Sequence, residues 1–320
     1  MQAAYYETHG NPEVLQLGEL PVPELADDEV LVKVAAAGVN PIDRRLRAGE
    51  LTEYITRTFP VTPGWDLAGR IVKLGAGVSG WNVGDEVVGL AFTWSIQHGT
   101  NAEYAPVKAA SIAVKPENLS FDQAGALPLV SLTAWQALAE FGNLQAGQTI
   151  LIQAGAGGLG SVAIPIARHL GAKVYATCSE KNADYVRSRG GDHVIDYQRS
   201  DYVSVLGEME PGGLDMVLES LLSDATTEAA IRLVKPGGTV AFMNNEPPDM
   251  PEIEARQIKT EFLHHRPDGD SLAGLMKLYA DGTIPAPGLK VLPLDQVRQA
   301  HRLSESGHTQ GKLVLHIQDL

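Results

Sequence analysis

Two clusters of residues in this sequence have the types and spacing to do chemistry. The first is AGAGGLG, in which Gly155, Ala156, Gly157, Gly158, Leu159 and Gly160 follow the apolar residues Ile150, Leu151 and Ile152 and lead into Val162, Ile164, Ile166 and Ala167. A strand that breaks into glycines and then into a helix can receive a dinucleotide pyrophosphate. The first glycine permits the bend, the second lets backbone approach the phosphates, and the third lets the helix pack on the sheet. Those roles fall to Gly155, Gly157 and Gly160, and the helix N-terminus offers unpaired N–H groups to the anion. The competing reading is a tight turn without a ligand, in a chain that carries 33 glycines.

The second cluster selects the dinucleotide. After the next strand, an acid accepts hydrogen bonds from the adenosine ribose, whereas donors and positive charge meet a 2′-phosphate. Counting from the strand-like Lys173 to Thr177, the usual place of that acid is Cys178, followed by Ser179, Glu180, Lys181 and Asn182. A hydroxyl, an ammonium and an amide fit a phosphate and point to NADP(H). Glu180 points the other way, although its spacing from Thr177 suits a capping box. Ser179 as a helix cap and Lys181 as a solvated charge remain the alternative. Tyr197, past the third strand, either packs against the same adenosine end or is an ordinary surface tyrosine.

The elements that position these clusters alternate. Thr149 to Gln153, Lys173 to Thr177, His193 to Ile195, Asp215 to Leu218 and Thr239 to Met243 are short apolar strands. Helical stretches precede or separate them: Phe121 to Phe141, the segment after Gly160, Asn182 to Arg189, and Ala225 to Leu233. This pattern predicts an α/β fold with a parallel sheet, helices on both faces and a ligand at the carboxyl ends of the strands. The first hundred residues read differently. Val30 to Ala35, Leu67 to Leu74 and Asp85 to Leu90 are strands between glycine and proline turns, which suggests a barrel or sandwich. One helix interrupts them at Asn40, where a capping amide, Pro41 and the acid Asp43 make a favourable start. Two helical segments and a closing strand, Leu313 to Ile317, end the chain. No repeat or low-complexity tract is present, so the domain boundaries rest on the change in periodicity: 1–118, completed by 265–320, and 119–264.

Composition narrows the function classes. With 25 basic against 39 acidic residues, a net charge of −14 opposes a nucleic acid or an anionic membrane as the main partner. Met1 to Gly10 is polar and aromatic, and no apolar run reaches membrane-spanning length, so a cytoplasmic location is expected. A single cysteine, Cys178, rules out an intrachain disulfide and a cysteine-rich zinc site.

Six segments in order carry a family resemblance: GVNPIDRRLRAG (Gly38 to Gly49), FPVTPGWDLAGRIVKLGAGVSGWNVGDEVVG (Phe59 to Gly89), GTNAEYAPV (Gly99 to Val107), AGALPLVSLTAWQAL (Ala124 to Leu138), AGAGGLG (Ala154 to Gly160) and GHTQGKLVL (Gly307 to Leu315). The chain resembles the zinc-independent quinone oxidoreductase, or zeta-crystallin-like, branch of the medium-chain dehydrogenase/reductase superfamily. The resemblance implies a GroES-like β-barrel catalytic domain, a Rossmann domain, a catalytic cleft between the two, and a homodimer. It implies NADP(H) held in part by Ser179, Lys181 and Tyr197. Thr133 is placed beside the nicotinamide, and Lys312 of the closing motif joins the cofactor set.

Where zinc-dependent relatives place a cysteine and a histidine, this chain resembles them only in position, with Asn40 and Trp65, neither of which ligates zinc. His264 and His265 lack a partner at ligand spacing. Without a Lewis acid, the easy reaction is hydride delivery to an acceptor that is already electron-poor, a quinone or an α,β-unsaturated carbonyl. Asn40, Asp43, Arg45 and Tyr54 form the candidate catalytic set. Asn40 offers an amide donor and Arg45 a cation to the developing oxyanion. Relatives carry tyrosine or lysine at Arg45, and a guanidinium does not readily give up a proton, so solvent is the expected proton source. Structural readings stand beside these: Asn40 as a helix cap, Asp43 with Arg45 as a surface pair, Tyr54 and Trp94 as hydrophobic filling, Trp65 as core. A cofactor-binding protein with little turnover is the alternative function.

Overall fold

The computed structural model describes residues 1–320 and divides into two compact units, Met1–Leu132 with Arg266–Leu320, and Thr133–His265. In the first unit, β1 (Gln2–Tyr5) and β2 (Gln16–Glu19) pair antiparallel. β3 (Glu29–Val39) then leads directly into α1 (Pro41–Ala48). Next come β4 (Thr56–Thr62), β5 (Asp66–Leu74), β6 (Glu86–Leu90), β7 (Ser95–His98), β8 (Tyr104–Lys108) and β9 (Ile112–Val114), followed by α2 (Phe121–Gly125) and α3 (Pro128–Trp135).

The second unit contains β10 (Thr149–Ile152), α4 (Gly160–His169), β11 (Lys173–Cys178), α5 (Ala183–Ser188), β12 (His193–Asp196), α6 (Tyr202–Met209), β13 (Leu214–Glu219), α7 (Asp224–Leu233), β14 (Val234–Phe242), α8 (Pro251–Ala255) and β15 (Lys259–Phe262). Its sheet runs β12-β11-β10-β13-β14-β15, every pairing parallel. The order reverses between β10 and β13, so the expected doubly wound sheet has its switch point beside the strand that carries the glycine turn. Leu151, Tyr175, Val217, Val240 and Phe242 fill its core.

The chain then returns to the first unit with α9 (Gly269–Ala280), β16 (Leu289–Pro293), α10 (Val297–Glu305) and β17 (Lys312–His316). A seven-stranded sheet runs β16-β17-β3-β5-β6-β9, with β8 also on β3. β3 is central because its sequence VLVKVAAAGV is apolar on both faces and nearly all of it is buried. Val32, Val34, Leu67, Ile71 and Val87 are among the core residues.

Two expectations change. The single helix read over Phe121 to Phe141 is broken: α2 ends at Gly125 and α3 begins at Pro128, because proline starts a helix well and continues one poorly. The boundary expected at 118 lies at Leu132, since α2 packs on β3 and β5 and draws the intervening residues into the first unit.

Candidate active site

The glycine turn joins β10 to α4. Its left-handed residue is Ala154, with φ of 50°, not Gly155, so the bend is made one position earlier than the glycine pattern suggested. Gly155 is needed for a different reason: its amide donates to the Thr177 carbonyl at 2.8 Å, and a Cβ there would sit 3.0 Å from that of Ala176. A Cβ on Gly160 would lie 2.5 Å from the Ala154 oxygen and 2.6 Å from the Gly155 Cα, so only glycine lets α4 start against the turn. Gly157 differs, since its missing Cβ would meet only the Ala154 oxygen, at 3.3 Å. That is the openness a close-lying pyrophosphate requires.

The residues expected to meet the adenosine end lie where the registers of β10, β11 and β12 bring the strand ends together. Cys178 is buried, and burial with the Asp196 charge pushes its thiol up to about 11, so neither an acid nor a thiolate stands at the ribose position. Ser179 is nearly buried and accepts from the Asn182 amide at 3.3 Å, while Lys181 and Tyr197 are exposed. The capping box proposed for Thr177 and Glu180 does not form. The Thr177 hydroxyl accepts from the Ala154 amide at 3.3 Å, and Glu180 is paired with Arg199 at 2.8 Å. Arg199, which sequence reasoning passed over, also lies 3.7 Å from Asp196 and adds a cation to this cluster. Thr133 carries a buried hydroxyl with no protein partner, as suits a residue that meets a cofactor.

At the junction of β3 and α1, Asn40 and Asp43 form a capping box: the Asp43 carboxylate accepts from the Asn40 amide N–H at 2.8 Å, and the Asn40 side chain faces the Asp43 amide without a short hydrogen bond to it. Its Nδ2 donates to Asp66 at 2.8 Å and its Oδ1 accepts from Lys312 at 2.6 Å, a pattern that fixes the orientation of the amide. The Asp66 carboxylate also accepts from the Leu129 amide at 2.7 Å and lies 3.7 Å from Lys312. Asn40, Asp43 and Asp66 have no exposed surface and Lys312 has 2%. Gly38 makes the space, since a Cβ there would lie 2.5 Å from an Asp66 oxygen. Burial, reinforced by the Asp66 charge, raises the Asp43 carboxyl to about 7 against the Asn40 N–H and the Lys312 charge. Burial also raises Asp66 and lowers Lys312, each opposed by its attraction to the other.

The candidate catalytic residues thus divide. Asn40 and Asp43 come together, joined by Lys312, whose ammonium donates to the Asn40 Oδ1 and the Val39 carbonyl. Arg45 does not pair with Asp43; its Nε donates to Glu50 at 3.2 Å, leaving its terminal nitrogens for other partners. Tyr54 and Trp94 are more than half exposed, and Trp65 is fully buried core. In the second unit, Glu219 ends β13 at the switch point. It has no exposed surface, one oxygen accepts from Leu221 and Thr226, and burial raises it to about 7. Asp66 and Glu219 were both missed. Each is an acid at the end of a strand, next to a run of buried apolar residues, Leu67 and Ala68 in β5 and Met216 to Leu218 in β13, which is the one signal that marked them for burial.

No group of three or more His, Cys, Asp or Glu side chains forms a metal-ligand set among the described residues. With Asn40 bonded on both sides and Trp65 in the core, the residues here do not fit zinc. No helix is long and apolar enough to cross a membrane.

Residues 26–117 match the alcohol dehydrogenase GroES-like domain family, and residues 189–315 match a family described as zinc-binding dehydrogenase. The chain is 34% identical to the 2-methylene-furan-3-one reductase of Solanum lycopersicum, over 99% of this chain and 79% of that protein. It is 33% identical to the chloroplastic NADPH-dependent alkenal/one oxidoreductase of Arabidopsis thaliana, over the same shares. Among solved structures, the Escherichia coli quinone oxidoreductase complexed with NADPH superimposes with a TM-score of 0.88 at 26% identity, covering 99% of this chain and 100% of that one. With the glycine turn, the two-unit architecture and the full-length likeness agreeing, the chain belongs to the quinone oxidoreductase branch of the medium-chain dehydrogenase/reductase superfamily.

Proposed function

We propose that this protein is an NADPH-dependent reductase that transfers hydride to quinones or α,β-unsaturated carbonyls without a metal, as a cytoplasmic homodimer with no nucleic-acid or membrane partner. The observation that carries the reading is the strand-end cluster of Ser179, Lys181 and Arg199, with buried Cys178 where a ribose-binding acid would stand. It agrees with the activities of the relatives, and the net charge of −14 supports the lack of an anionic polymer partner.

In this reading Gly155 to Gly160 hold the pyrophosphate, Ser179, Lys181 and Tyr197 the adenosine end, and Thr133 the nicotinamide side. When bound, the dihydronicotinamide supplies the hydride. The protein's own residues must meet the negative charge that develops on the acceptor oxygen. Arg45 is the group suited to it, since Glu50 engages only its Nε. Asn40, enclosed by Lys312 and Asp66, holds the start of α1 and so the direction of Arg45. Tyr54 is exposed and available to face the acceptor. Protons come from solvent, because Arg45 stays protonated.

The double variant S179A/K181A tests the cofactor assignment. Loss of charge-assisted contacts worth about 2 kcal/mol weakens binding roughly 30-fold. The KM for NADPH is therefore expected to rise by about that factor while that for NADH stays unchanged. An equal change for both cofactors contradicts the assignment.

A further inference from the structure

The cluster at the start of α1 contains more charge than it can neutralise. Asp43, Asp66 and Lys312 are all buried, so two carboxylates face one ammonium. If both acids were ionised, the cluster would carry an unpaired negative charge away from water, which is strongly unfavourable. One proton must therefore be retained, and the hydrogen bonds indicate where. Both oxygens of Asp66 accept N–H groups, from Leu129 and from Asn40, and Lys312 stands beside them. Asp43 accepts the Asn40 N–H on one oxygen, and its other oxygen, Oδ1, has no partner in the protein.

The surroundings of Asp43 suit an acid hydroxyl. Tyr6, Thr62, Thr100 and Asn101 are fully or almost fully buried, and the Tyr6, Thr62 and Thr100 hydroxyls and both polar atoms of the Asn101 amide lack protein partners. Thr100 and Asn101 crowd Gly64, 2.6 and 2.4 Å from where its Cβ would be. The Gly64 amide N–H reaches the Asp43 carboxyl and favours its ionised form, but burial outweighs it. Tyr6 is the member of this wall that interacts with Asp43 itself, and through a buried water its hydroxyl can accept the proton that Asp66 cannot hold. The titratable and charged groups facing Asp43 are Asp66 on β5, Lys312 on β17 and the Tyr6 phenol. Arg47 and Arg57 act on Tyr6.

We propose that Asp43 is a positioning residue that carries the spare proton of the Asn40–Asp43–Asp66–Lys312 cluster, and that turnover requires this proton to be in place. In its acid form Asp43 holds the Asn40 backbone, and with it the first turn of α1, from which Arg45 projects two residues later. Ionisation leaves a second carboxylate without a counter-charge. The cluster then has to open or hydrate, and Arg45 loses its aim. The kinetic part of this inference rests on the reductase reading; the thermal part does not.

The carboxyl is raised to about 7 in the folded protein from a normal value near 3.8. The folded state therefore binds the proton more tightly than the unfolded chain. Asp43 thus favours folding at low pH, loses that contribution as pH rises from about 4 to about 7, and adds no further change above that. Turnover falls in a different window, above about 7, by tenfold per pH unit. The test follows Tm and the kcat for NADPH oxidation by a quinone, from pH 4.5 to 9, in wild type, D43N and D43A. Asparagine keeps an acceptor for the Asn40 N–H and cannot ionise. D43N is expected to lose the basic limb of kcat and to gain Tm relative to wild type as pH rises to 7, with the difference constant above it. D43A, which loses the cap, is expected to fall below D43N in both measurements. A basic limb and a Tm profile in D43N identical to those of wild type overturn the proposal. If no pH supports NADPH oxidation, the reductase reading fails and the Tm difference alone decides. If D43N does not fold, infrared spectra of E219Q, which lacks the other buried acid raised to about 7, decide instead. A protonated-carboxyl band lost between pH 6 and 8 in E219Q and missing once D43A is added to it supports the proposal, whereas absence of the band, or its survival in the D43A/E219Q protein as expected for Asp66, overturns it.

Discussion

Gly160→Val is expected to lower NADPH affinity at least 100-fold and to destabilise the protein by about 3 kcal/mol, the upper range for forcing extra atoms into a packed site. The cause is local. A Cβ at this position already falls 2.5 Å from one backbone oxygen and 2.6 Å from a neighbouring Cα, and neither is the movable end of a side chain. To admit valine, α4 must move off the turn, and the turn is tied to β11 through the Gly155 amide and the Thr177 carbonyl. The helix N-terminus and the backbone that would face the pyrophosphate therefore shift together. Gly157→Ala, where the Cβ would have a single contact at 3.3 Å, is expected to leave stability nearly unchanged while still weakening NADPH, since only the ligand is crowded. Fluorescence titration with NADPH and thermal unfolding separate the two effects. Equal stability losses at both positions contradict this account of the turn.

Lys312→Met is expected to be the most destabilising single change in the first unit, at about 3–5 kcal/mol, the range for removing one partner from a buried ion pair. Methionine conserves much of the volume, so the loss is electrostatic. Asp66 is left without its cation, and the Asn40 Oδ1 loses its donor. Arginine should rescue poorly, because the space is shaped for a point charge that bonds Asn40 and the Val39 carbonyl together. The exposed ion pair of Lys108 with Asp28 is the control, and Lys108→Met is expected to leave Tm unchanged. Thermal unfolding of the three variants decides the matter. A Lys312→Met protein as stable as the Lys108→Met protein shows that the buried cluster does not hold the fold.

The parts of this structure legible in the sequence were those set by local pattern. The glycine turn, the alternation that predicts a parallel sheet, and the Asn40–Pro41–Asp43 helix start each lie within a few residues, and each forms close to where it was read. The partnership of Lys312 with Asn40 spans 272 positions and depends on β17 pairing with β3, which periodicity does not specify. The same holds for Arg199, which reaches the adenosine cluster only because β12 lies beside β11. The cap of Asn40 with Asp43 follows from their spacing, but the further bonds of the Asn40 amide to Asp66 and Lys312 do not, because a capping motif in isolation carries no sign of distant partners.

The central claim is that this chain delivers hydride from NADPH to acceptors that are already electron-poor. A paired assay of NADPH and NADH against benzoquinones, short enones and saturated aldehydes tests it most directly. The account predicts oxidation of NADPH by quinones or enones, weaker use of NADH, and no turnover with saturated aldehydes. A preference for NADH, or turnover of saturated aldehydes equal to that of enones, would contradict it.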